Sequence, residues 1–93
     1  MTVGTLELRL HLPGCRSLKE KRSRLKRLSA GLRRDFNVSV AEVGKNDLHQ
    51  TALLAVAVVS NEAAFANAVL SQVVARVERE ATLYLQDHRL EFR

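Results

Sequence analysis

Ninety-three residues with a hydrophobic fraction of 46% are enough for one folded domain, residues 1–93, and exclude a disordered chain. The longest apolar run, Ala52 to Val59, is far too short for a membrane span, and MTVGTLELRL lacks the pattern of a secretion signal. A single cysteine, Cys15, permits no internal disulfide and suits a cytoplasmic protein.

In chain order, Leu6, Leu8, Leu10 and Leu12 alternate with Thr5, Glu7, Arg9 and His11, the period-two pattern of a strand with one buried face. Pro13-Gly14 ends it. Ser17 and Glu20 then form a capping box that opens a helix. Leu18, Leu25, Leu28, Leu32 and Phe36 share one helical sector and give that helix its buried side. Asp35-Phe36-Asn37 closes it.

Val38 to Val43 reads as a second strand and GKNDLHQ as a hairpin loop. TALLAVAVV is apolar on both faces, as a central strand should be. Ser60-Asn61 is expected to cap a second helix, buried along Phe65, Ala66, Val69, Leu70, Val73, Val74 and Val77. Leu83, Leu85, Leu90 and Phe92 mark a last strand, with a slip in parity near Asp87 that indicates a bulge or a late strand entry. Strand, helix, strand, strand, helix, strand predicts an α+β, ferredoxin-like βαββαβ fold. Its four-stranded antiparallel sheet has strands one and three in the centre and both helices on one face.

Charge is unevenly placed. The chain carries +5 overall, but residues 1–34 hold ten Lys/Arg against two acids, and the remainder holds five against eight. SLKEKRSRLKRL, residues 17–28, concentrates six bases with one acid. Lys19, Lys21 and Arg22 fall in the first turns of the helix, where each opposes the helix dipole at about 0.3–1 kcal/mol. With Leu18 as zero, Arg22, Arg33, Lys26 and Lys19 fall at about 40°, 60°, 80° and 100° on an ideal helix. They make one stripe beside the buried side, continued by Ser29, while Arg24, Arg27 and Arg34 lie on a separate outer face. Such a stripe can follow successive phosphates of a polyanion. Arg16, with the backbone N–H groups of Gly14-Cys15-Arg16-Ser17, adds an anion site at the helix start, although an ordinary capped turn accounts for the same residues.

Other chemistry is sparse. Glu7, Arg9 and His11 on strand one and Asp87, Arg89 and Glu91 on the last strand read as cross-strand charge pairs. Phe36 and Phe65 fall on core faces, so an aromatic base-stacking sheet is not expected. His11, His49 and His88 are scattered, and Asp47 and His49 supply two metal ligands at most. Cys15 reads as an incidental small residue. No catalytic residue, metal or other cofactor is expected.

LPGCRSLKEKRSRLKRL, FNVSVAEV, the pattern of Asp47, Leu48 and Gln50, and VAVVSN together resemble the YlxP-like family, a bacterial domain of unknown function. The resemblance runs from strand one to the start of helix two. It implies a ferredoxin-like fold and a cytoplasmic protein. Family members are commonly encoded beside translation-initiation and ribosome-maturation genes, including that of ribosome-binding factor A. The family motif falls here on Ser17, Leu18, Lys19, Glu20, Lys21, Arg22, Asn37, Ser39, Glu42 and Asp47, and His49 stands where relatives usually have tryptophan.

The expectation is a non-enzymatic module that binds RNA or a ribosomal subunit. Lys19, Arg22, Lys26 and Arg33 would make the phosphate contacts, supported by Arg16 and Lys21. The alternative is a protein–protein interaction module that forms a homodimer through its sheet, with the basic helix merely solvated. A minor alternative is a small phosphate-ester or acyl-phosphate hydrolase built on Arg16 and Asn37. No membrane partner is expected.

Overall fold

The computed structural model describes residues 1–44 and 47–93. The alternating leucines become β1 (Thr2–His11), with Leu6, Leu8 and Leu10 fully buried. Gly14, at φ 71°, turns the chain with a left-handed backbone that a Cβ would disfavour. α1 (Leu18–Asp35) begins at Ser17, whose Oγ accepts the Glu20 N–H at 3.1 Å. β2 (Ser39–Gly44) and β3 (Thr51–Ser60) pair as the expected hairpin; Lys45 and Asn46 of its loop lie outside the described residues. α2 (Ala63–Glu78) and β4 (Tyr84–Phe92) complete the chain.

Strand order is β2-β3-β1-β4, antiparallel throughout, so β1 and β3 hold the centre of a ferredoxin-like sheet. Even-numbered residues of both central strands meet Leu25, Leu28 and Leu32 of α1 and Leu70, Val73 and Val77 of α2 in one core. The parity slip is a bulge: Arg9 faces Asp87 but Leu10 faces Leu85, which leaves Gln86 as the extra residue.

Two local expectations change. The N-cap of α2 is Glu62, which makes no side-chain cap bond. Ser60 Oγ instead accepts the Glu62 N–H at 3.0 Å, so Ser60 stabilises the turn rather than the helix. Phe65 is 58% exposed rather than in the core. A Cβ at Gly4 would lie 3.4 Å from Ala66 and 3.0 Å from Leu70, so α2 sits close on β1. The contact stripe is Ala66, Leu70, Val73 and Val77, and the bulky ring stays outside it.

Candidate nucleic-acid interface

α1 has two basic borders that differ in how far their cations are ion-paired. Towards α2, Arg24 and Arg34 are paired, whereas Arg27 is exposed with no acid within ion-pair distance among the described residues. Arg24 donates to Glu20 at 2.8 Å and also to the carbonyls of Pro13 and Thr82. Arg34 pairs with Asp35 at 3.2 Å. Arg76 reaches across from α2 to Asp35 at 3.6 Å and to Glu80. These carboxylates, Glu80 foremost, push the Arg76 pKa above its ordinary value. A Cβ at Gly31 would stand 3.2 Å from the Arg76 guanidinium, so an added methyl there would crowd the ion-paired Arg76 side chain.

The border towards β2 differs. Lys19, Arg22, Lys26 and Arg33 are all exposed, and among the described residues none lies within ion-pair distance of an acid. The Arg33 guanidinium makes one long bond, 3.4 Å, to the Val40 carbonyl of β2. That contact places the stripe on the β2 side of the helix. The four cations span more than three turns, so the stripe can run along several phosphates of one strand.

Arg16 is exposed at the start of the same helix. The backbone anion site expected beside it is already filled. Glu20 Oε2 accepts the Arg16 N–H at 3.1 Å, and the Cys15 and Lys21 N–H groups go to Leu12 and Ser17 carbonyls. The Glu20 carboxylate therefore occupies the positive end of the dipole, and Arg16 contributes its side chain alone. The Arg16 N–H, and then the Arg24 guanidinium, hold the Glu20 pKa below its ordinary 4.5. Its contribution to stability is thus complete above pH 4.5 and is lost as pH falls through the lowered value. The stability gap between the wild type and Glu20→Gln should narrow as pH drops below 4.5, as followed by chemical denaturation. A gap that stays constant there would contradict this role for the carboxylate.

Lys21 is the correction within the expected set. It is 1% exposed, so it is not available to phosphate. Its ammonium lies 2.9 Å from Glu42 of β2 and donates to the Leu48 carbonyl at 2.7 Å. The Lys21–Glu42 contact is an ion pair largely shielded from water on the lysine side. Sequence reasoning missed Glu42 as its partner.

The remaining candidates stay apart. Arg16 and Asn37 flank opposite ends of α1, about 27 Å apart at 1.5 Å per residue, and so do not form the hydrolase pair considered from sequence. Cys15 is buried, its thiol donating to the Ser17 carbonyl at 3.4 Å. Asp47 and His49 are exposed in the β2–β3 loop, and no cluster of metal-ligating side chains forms among the described residues. On the open side of the sheet Glu7 and Arg89 pair at 3.0 Å, as expected. No described helix is long and apolar enough to cross a membrane.

Residues 3–90 match the profile of a family described as protein of unknown function (DUF503). The chain belongs to the DUF503 family. It is also 33% identical over 76 residues to the "Uncharacterized protein YlxP" of Bacillus subtilis (strain 168), across 82% of this chain and 83% of that protein. The resemblance to YlxP-like proteins drawn from the motifs is therefore correct. Within this DUF503 chain the motif divides by task. Ser17 and Glu20 build the helix start, Lys21 and Glu42 tie α1 to β2, and Lys19 and Arg22 face solvent.

Proposed function

We propose that this DUF503 protein is a non-enzymatic, cytoplasmic module that binds RNA or a ribosomal subunit through the outer border of α1. Lys19, Arg22, Lys26 and Arg33 contact successive phosphates, and Arg16 extends the track at the helix start. One observation carries the reading: among the described residues none of the four stripe cations has an acidic partner, while two of the three arginines on the opposite border of the same helix, Arg24 and Arg34, are ion-paired. Exposed cations in the first turns oppose the dipole, and a departure from local stability is expected where a surface serves binding. Recognition then rests on backbone charge and shape. The open sheet face presents Glu7, Arg9, Leu53, Ala55 and Ala57 in its middle and the exposed Tyr84 opposite His11 near one end, so it offers one ring at an edge rather than a platform for base stacking.

Cosedimentation with ribosomal subunits, together with binding to ribosomal RNA fragments, tests the proposal. The wild type should bind. A folded variant with Lys19, Arg22, Lys26 and Arg33 all changed to glutamine should lose most of that binding. Equal binding by the two proteins, or none by either, would overturn the assignment.

A further inference from the structure

The face of the sheet turned away from the helices is divided lengthwise. Its β2–β3 half carries Ala41, Val43, Leu53, Ala55, Ala57 and Val59, with Val43 51% and Val59 66% exposed. The β1–β4 half carries charge of both signs. Glu7 pairs with Arg89, Arg89 and Arg93 reach Glu91, and Arg9 stands opposite Asp87 in the register. Three arginines are matched there by three acids. The net charge of +5 on the chain therefore lies elsewhere, and the basic stripe of α1 is on the other side of the sheet.

We propose that this open face docks a second copy of the chain, sheet against sheet. Charge selects both the occupant and the face. Two strongly basic chains repel when they approach through their helices, whereas a neutral surface of alternating sign is compatible with itself. The apolar half supplies the surface removed from water. Size also fits. Strands of 10, 6, 10 and 9 residues at about 3.4 Å per residue and about 4.8 Å apart give a planar face of roughly 570 Å². A standard interface takes about 800 Å² of accessible surface from each partner, and a pleated face with side chains exceeds its planar area. The resulting dimer carries its two basic helices on its outer sides, remote from the contact. The inference is independent of what those helices bind.

Sedimentation equilibrium of the full chain from low to high micromolar concentration tests it. The wild type should be dimeric at the upper end, and still dimeric when salt is raised. Ala57→Glu, which places a charge opposite Thr5 and Ser39, should be monomeric throughout. Val59→Glu, at a position already exposed in the single chain, should also shift the equilibrium to monomer without disturbing the fold, as checked by circular dichroism. Lys26→Gln on the helix side should leave the dimer intact. A wild type that is monomeric at every concentration would overturn the proposal. So would a dimer that survives Val59→Glu unchanged, or one lost with Lys26→Gln.

Discussion

Lys21→Met is expected to lower the unfolding free energy by about 3–5 kcal/mol, the cost of breaking a buried ion pair by removing one partner. The side chain of Lys21 is 1% exposed and that of Glu42 only 21%. The methionine leaves a carboxylate poorly hydrated and the Leu48 carbonyl without its ammonium donor. Because Glu42 keeps some contact with water, the loss should fall towards the lower figure. For a chain of this size each kcal/mol corresponds to about 4–8 °C in Tm, so the variant should melt well below the wild type. Lys21→Met combined with Glu42→Leu should recover most of the loss, since an apolar pair leaves no charge unpaired. If the double variant is as unstable as the single one, packing of the lysine stem rather than charge is what matters at this position.

Changing Lys19, Arg22, Lys26 and Arg33 together to glutamine should move stability and binding in opposite directions. Lys19 and Arg22 sit in the first turns of α1, where a cation costs about 0.3–1 kcal/mol at low ionic strength. None of the four holds an acid in place among the described residues, and only Arg33 gives up a bond, to the Val40 carbonyl. The variant should therefore unfold no earlier than the wild type, and slightly later in low salt. Its affinity for ribosomal RNA fragments should fall by about two orders of magnitude near 100 mM salt, as follows when four phosphate contacts are removed. A variant that loses binding because it has lost its fold would show the reverse trend in stability. Thermal melts recorded on the same samples separate the two cases.

Much of this architecture was legible because periodicity is a direct record of burial. Leucines spaced by two gave β1, and the doubly apolar TALLAVAVV gave a central strand. Ser17 with Glu20 marked the start of α1 to the residue. The misplacements have physical causes. Phe65 satisfies a helical spacing, but a wheel carries no information about how closely α2 approaches β1 at Gly4. Lys21 was grouped with the exposed cations by its charge, although the same wheel sets it at about 300°, between Leu32 and Leu28. Position on the helix, not residue type, was the better guide there. Its partner Glu42 comes from another element, and such pairing emerges only once β2 lies under α1. The stripe itself was visible as an arc of Lys19, Arg22, Lys26 and Arg33. That its members lack acidic partners among the described residues while Arg24, Arg34 and Arg76 have them depends on the tertiary arrangement of Glu20, Asp35 and Glu80.

The most direct test of the central claim is the salt dependence of binding to a single-stranded ribosomal RNA fragment. Four phosphate contacts by the α1 stripe should give a log–log slope of about −3 for the wild type. The slope should shrink to about −0.7, the share of the remaining Arg16 contact, for the folded variant with glutamine at all four positions. The same slope in both proteins, or wild-type binding indifferent to salt, would contradict the assignment of the stripe as the phosphate-contacting surface.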